Sequence, residues 1–205
     1  MLNLNFCKGV WEMDNLTEKS SYKDLLSAWK EVNDYGYFAA NEKNTKKALK
    51  QKGVTLARWV NTPKKNRALY IYARPNKKVY FTSFLIVEGS EGDSFASMDG
   101  DKQTMTVYHA HAINRYIERH GFDGTLEQCQ CHILNNTLLT AQNVDTITKE
   151  VIVYFDEGIF LGCIKDNVTH LNTYVSNNRL YTNQRLMSRR LQDMLDELIK
   201  KMRKQ

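Results

Sequence analysis

In SSYKDLLSAWKEVND, Leu25, Ala28, Trp29 and Val32 recur at helical spacing, which predicts a helix over 20–34 with one apolar stripe. Ser20 or Ser21 is placed to cap it, with Asp24 in the first turn. A second helix is predicted from Glu42 to Lys52, stopped by Gly53. Its only apolar residues are Ala48 and Leu49, so most of its surface must be wet. The texture then changes. TLARWV, ALYIYAR and KKVYFTSFLIVEG are rich in Val, Ile, Tyr, Phe and Thr and read as strands. Leu69, Ile71 and Ala73 alternate with Tyr70, Tyr72 and Arg74, which gives two faces, and Pro75-Asn76 marks a hairpin turn. Residues 89–101 read as a loop with at most a brief strand inside, followed by a short strand at 104–107 and a helix over 109–120.

Another helix is predicted over 125–142, where Leu126, Cys129, Ile133 and Leu138 keep near-helical spacing. The stretch KEVIVYFDEGIFLGCIKDNVTHLNTYVS divides into three antiparallel strands, turning at Asp156-Glu157-Gly158 and at Asp166-Asn167. From about Asn178 to Lys201, Met187, Leu191, Met194 and Leu198 form the stripe of a long amphipathic helix, which Met202 continues. The fold class expected is α+β: an antiparallel sheet packed by helices, with a helical N-terminal region and a long C-terminal amphipathic helix. A boundary near 89–103 separates residues 1–88, a helical and basic β-hairpin region, from an α+β domain over 104–205, unless the two form one continuous domain. The sequence contains no visible repeat and no low-complexity tract.

Composition is that of an ordinary globular chain, 42% apolar and 25% charged, able to bury a core. The N-terminus lacks both a basic start and a long apolar run, so no secretory signal is expected, and no apolar run is long enough to predict a membrane span. The four cysteines, Cys7, Cys129, Cys131 and Cys163, have no disulfide-like spacing, which points to a reduced, cytoplasmic protein.

Charge changes the picture more. Between Glu42 and Glu88 there is no acidic residue, while twelve lysines and arginines fall in those 45 positions. The flanking segments are each net negative, so the whole net charge of +6 comes from this one stretch. Such asymmetry points to a polyanionic partner. The candidate nucleic-acid contacts are Lys46, Lys47, Lys50, Arg58, Lys64, Lys65, Arg67, Arg74, Lys77 and Lys78. Trp59, Tyr70, Tyr72, Tyr80 and Phe84 lie among them, and cations interleaved with aromatics are how single strands are gripped. The plainer reading is a lysine-rich helix and hairpin that only keep the chain in solution.

Candidate chemistry concentrates in YHAHAINRYIERH, 108–120. On a helix, His111, Asn114, Arg115, Glu118 and Arg119 share one face, opposite Ala110, Ile113, Ile117 and His120. Either this is a solvated face with an Arg115–Glu118 pair, or it is a phosphate site. Two arginines one turn apart can fork onto a phosphodiester, and a histidine beside them moves protons near neutral pH. Glu118 is then the base or the orienter of an arginine. In the strand 170–176, simple alternation puts His170, Asn172 and Tyr174 on one side and Leu171, Thr173 and Val175 on the other. His170 and Tyr174 are therefore the strand's candidates for a shared cleft; an exposed polar sheet face is the alternative.

The string His111-Ala-Ile-Asn-Arg115-Tyr-Ile-Glu-Arg119, a second helix, then strands ending in Leu171-Asn-Thr-Tyr-Val-Ser176 resemble the metal-independent RNase superfamily of barnase, the RelE-type toxins and the colicin nucleases. The resemblance is to small toxin-like domains with a His-Ala-x-x-Arg-x-x-x-Arg helix and covers about residues 104–186. It implies one or two helices on an antiparallel sheet, RNA as substrate, His111, Arg115 and Arg119 as site residues, and Thr173 on the last strand. Thr173 and His170 can face one cleft only if a bulge intervenes. A neutralising protein partner belongs to the same expectation.

Zinc is disfavoured, because His109-x-His111 and Cys129-x-Cys131 have one intervening residue where zinc sites use wider pairs. No Walker A, Gly-x-Gly-x-x-Gly or Gly-x-Ser-x-Gly motif is present, and no cysteine sits in a recognisable activating context. No cofactor and no metal are expected. The leading expectation is an RNA-contacting protein that cleaves RNA without metal. The alternatives are a non-catalytic nucleic-acid-binding or regulatory module, and a protein-interaction domain that docks through the Met-rich terminal helix.

Overall fold

The computed structural model describes residues 16–50, 56–73, 79–98, 104–120, 123–136, 141–155, 157–180 and 193. Of the expected C-terminal helix only residues 178–180 and Asp193 are described, Asn178 and Arg179 within a short 3-10 turn, Asn177–Arg179; the rest of it and the Pro75-Asn76 turn lie outside the described residues. The chain is α+β. In order it forms α1 (Tyr22–Asn41), α2 (Lys43–Lys50), β1 (Leu56–Asn61), β2 (Arg67–Ala73), β3 (Tyr80–Gly89), β4 (Gly92–Met98) and β5 (Met105–Tyr108). Then follow α3 (Ala110–His120), α4 (Leu126–Asn136), β6 (Ala141–Val144), β7 (Glu150–Phe155), β8 (Gly158–Lys165) and β9 (Val168–Ser176).

The strands make one nine-stranded sheet in the order β1-β2-β3-β4-β5-β9-β8-β7-β6. Every ladder is antiparallel except β5 with β9, which is parallel. The sheet is continuous across the expected boundary, because β4 pairs with both β3 and β5. A topological repeat appears that the residues do not announce. Two helices and four antiparallel strands run inward to β5 from one edge, and a second set of two helices and four strands runs inward from the other.

The two helix pairs cover opposite faces. Leu25, Ala28 and Val32 of α1 and Leu49 of α2 pack on Ala68, Tyr70, Tyr72, Leu85, Val87, Ala96 and Val107. Ile113 and Tyr116 of α3 and Ile133 and Leu134 of α4 pack on Leu69, Ile71, Phe84, Phe95, Val153, Phe160 and Leu171. Strands β2 and β3 are therefore buried on both sides, and the alternation at 69–72 separates two cores rather than a core from water. Ser21 caps α1, accepting from the Asp24 N–H at 3.3 Å. That helix outlasts the predicted 20–34, because Gly36, Ala39 and Ala40 continue its buried stripe with side chains too small to register as a hydrophobic pattern.

Two expectations are corrected. Residues 89–101 hold a full strand, β4, whose Ser94, Phe95 and Ala96 are buried in the middle of the sheet. The helix predicted over 125–142 ends at Asn136, and Ala141–Val144 pairs with β7 as an edge strand. Asp166 and Asn167 both have positive φ, the conformation of the tight β8–β9 hairpin.

One irregularity in β9 matters for the site. Leu161 pairs with Thr173 but Gly162 pairs with Leu171, so Asn172 is an unopposed bulge residue. Leu171 and Tyr174 consequently enter the same core, and His170 and Thr173 share the opposite face. Gly162 permits this, since a Cβ there would stand 1.9 Å from the His170 carbonyl oxygen. Gly162→Ala is expected to cost roughly 3 kcal/mol in urea unfolding monitored by circular dichroism, as forced overpacking does. An unchanged midpoint would mean that the bulge tolerates a side chain.

Candidate functional site

The densest cluster of reactive groups forms where β5 ends. His109 precedes α3 and its carbonyl accepts from the Ile113 N–H, so the residue stands at the helix cap rather than within the helix. Its Nδ1 lies 2.8 Å from Glu18 Oε2 and its Nε2 lies 3.0 Å from His170 Nδ1. Glu18 arrives on a short segment that pairs with β3: the Glu18 N–H donates to the Glu88 carbonyl, and the Glu88 N–H to that of Leu16. The Ser94 hydroxyl donates to Glu18 Oε2 at 2.9 Å and accepts from the Ala110 N–H at 2.8 Å, which also satisfies an end group of α3. A Cβ at Gly89 would lie 2.6 Å from Ser94 Oγ and 2.7 Å from Glu18 Oε2, so this cradle requires glycine.

The carboxylate sets the proton positions along the chain. The Glu18 side chain is only 12% exposed and that of His109 14%. Burial pushes the Glu18 carboxyl up, but hydrogen bonds from His109, Ser94 and the Ser90 backbone outweigh it and hold the group below its usual range. An ionised carboxylate only accepts, so His109 Nδ1 carries a proton. The hydrogen bond between His109 Nε2 and His170 Nδ1 runs in the direction that the two tautomers set. Burial, reinforced by the neighbouring His109, pushes His170 below the ordinary histidine range. Neutral His170 with a proton on Nδ1 has a free lone pair on Nε2. That atom is a base, backed by an imidazole and a carboxylate, and Thr173 lies on its side of the sheet. Cys163 is the cross-strand partner of His170.

The expected residues of α3 are amphipathic as predicted, but their polar groups are mutually engaged. His111 Nδ1 lies 2.9 Å from both oxygens of Glu91, in the β3–β4 turn. Arg115 Nη1 donates to Glu118 at 2.9 Å, and its Nε is 3.5 Å from His111 Nε2. Arg119 turns away and donates to the Tyr174 carbonyl. Tyr174 is corrected: the bulge takes it off the face of His170 into the core, fully buried, where its hydroxyl donates to the Glu157 carbonyl at 2.7 Å. Tyr116 and His132 bind the Glu157 carboxylate. Among the described residues no group of three or more His, Cys, Asp or Glu side chains is arranged to hold a metal ion.

In the basic segment, Lys46, Lys47 and Lys50 line the exposed side of α2, and Lys64 and Lys65 occupy the β1–β2 turn. Arg58 pairs with Glu42 at 3.7 Å and Arg67 with Asp93 at 2.6 Å. Arg74, Lys77 and Lys78 lie outside the described residues. The interleaved aromatics are corrected too. Tyr70, Tyr72 and Phe84 are core, and Trp59 packs edge-on against Phe95; Tyr80 alone of the five is exposed. No helix of the described residues is long and apolar enough to cross a membrane. Sequence reasoning missed Glu18, Ser94 and the role of His109. The one signal for His109 was its position just before the helix.

No protein-family model, curated protein or solved structure matches this chain.

Both depressed groups make the fold acid-sensitive. As pH falls, the unfolded chain protonates His170 before the folded chain does, so that stability is complete above the histidine range and lost below it. The Glu18 contribution persists until pH falls through the carboxylate range. Melting temperature is expected to drop between about pH 6.5 and pH 5, and His170→Asn to flatten that drop. Thermal melts across this window check it; an identical slope in the variant would contradict neutral burial of His170.

Proposed function

We propose that this chain contacts RNA and cleaves it without a metal, as a toxin-like endoribonuclease. The observation that carries the reading is the Glu18–His109–His170 hydrogen-bond chain; with the His170 proton on Nδ1 it ends in an unprotonated imidazole nitrogen. His170 Nε2 takes the proton of a ribose 2′-hydroxyl, and the 2′-oxygen attacks the adjacent phosphorus. The imidazolium that forms shares its charge through His109 with Glu18. The acid role falls to His111, held by Glu91: its Nε2, which accepts from Arg115 Nε, first takes up a proton and then gives it to the departing 5′-oxygen, while the released Arg115 stabilises the charge on the phosphate. Both stand on the helix that covers the sheet face opposite His170, so the substrate has to pass round the end of β5 to meet both. The products are a 2′,3′-cyclic phosphate and a 5′-hydroxyl. Exposed Lys46, Lys47, Lys50, Lys64 and Lys65 supply backbone attraction, and none of them is ion-paired with another described residue. The resemblance to metal-independent RNases implies one or two helices on an antiparallel sheet, and α3 and α4 with the antiparallel strands β6 to β9 are compatible with that.

A second reading, a module that binds RNA without cutting it, is favoured by one observation. Arg58, Arg67 and Arg115 are each matched by a carboxylate, which weakens their claim on phosphate.

Incubation of the purified protein with mixed-sequence RNA in EDTA separates the two. Cleavage is expected, with cyclic-phosphate ends, and a loss of at least about a hundredfold in His170→Ala and in His111→Ala. Salt-sensitive binding with intact RNA would establish the binding module instead, and full activity in His111→Ala would remove that residue from the acid role.

A further inference from the structure

Along α1, away from the histidines, a groove of about 700 Å³ runs beside the β1–β2 turn. Lys23, Leu26, Lys30, Asp34, Tyr35 and Phe38 line it at helical spacing, and Pro63 and Lys64 close its far wall. Two features are unusual together. Phe38 is 80% exposed, a cost for a large apolar ring that nothing in the fold requires. Three lysines, Lys23, Lys30 and Lys64, line the same groove, on the segment bordering the acid-free stretch. Of the two carboxylates present, Glu31 is engaged by the Thr62 hydroxyl at 2.8 Å and the Asn66 amide at 3.0 Å, so it serves the turn. Asp34 is exposed and is the acceptor available to ribose hydroxyls.

We propose that this groove binds single-stranded RNA, with one base stacked on Phe38 and phosphates along the strand on Lys23, Lys30 and Lys64. The proposal rests on the RNA reading above and names the form of RNA. Charge complementarity selects a polyanion, and the open aromatic face selects unpaired bases, because a duplex keeps its bases stacked on one another. The lysines of α2, which follows α1 after Glu42, are exposed as well. Here the exposed aromatic is Phe38 of α1, not the strand tyrosines that the sequence pattern offered.

The test is fluorescence anisotropy of a labelled 12-nucleotide unstructured RNA and of a 12-base-pair RNA duplex at low salt, with RNA integrity checked on a gel. Phe38→Ala, an exposed position, is expected to weaken single-strand binding about tenfold, as loss of one base–aromatic stack does, and to leave duplex binding unchanged. Lys30→Ala with Lys64→Ala is expected to weaken single-strand binding and flatten its salt dependence. If Phe38→Ala binds the single strand as wild type does, or loses both RNAs equally, the groove assignment is overturned while the RNA reading stands. If wild type binds neither RNA, both are overturned.

Discussion

The parallel ladder between β5 and β9 is the constraint on which the rest of the structure depends. It is four residues long, Met105 to Tyr108 against Val168 to Leu171, and it joins two antiparallel meanders into one sheet. All four β5 residues are buried, so the seam lies between the two cores that cover the sheet's faces. Parallel pairing needs a crossover, and α3, α4 and β6 to β8 supply it. The same register brings the end of β5 beside the middle of β9. His109 leaves β5 with its N–H on the Leu171 carbonyl, and its ring meets His170.

Three histidines are each held by a glutamate: His109 by Glu18, His111 by Glu91 and His132 by Glu157. The three pairs differ in what they leave over. His132 is spent on a carboxylate that also receives the Tyr116 hydroxyl. His111 sits on a wet face with Arg115 and Glu118, where screening keeps each interaction weak. The chain through Glu18 is largely out of water, and its second histidine gives it a free end. Low local dielectric strengthens each link and holds His170 below the ordinary histidine range.

The proposed catalytic relay and the proposed RNA groove use separate parts of the fold. Glu18 and Ser94 tie the relay to the sheet's centre, where backbone positions are fixed by pairing on both sides. The groove lies on the outer side of α1, where lysines keep their solvation and an aromatic ring stays open. Such a division suits an RNA-processing protein: rigid support for proton transfer, and a screened, adaptable surface for the backbone of the substrate.

Residue order by itself determined the elements whose signal is local. The cap at Ser21, the amphipathic face of α3, the three strands β7 to β9 and the hairpin at Asp166-Asn167 follow from spacing and turn chemistry that neighbours alone impose. Charge asymmetry was equally legible, because it is a count. Tertiary structure alone decided the rest. Strand β4 was hidden among Gly, Ser and Asp residues, which become buried only because partners stand on both sides. Tyr70 and Tyr72 read as a possible stacking surface until a second core covered that face of β2. Alternation placed Tyr174 with His170, and one bulge residue, permitted by Gly162 on the neighbouring strand, reversed the assignment. Glu18 and His109 are 91 positions apart in sequence, and no pattern along a chain reports which distant carboxylate will meet which imidazole. That pairing is set by strand order and register, which depend on every long-range contact at once.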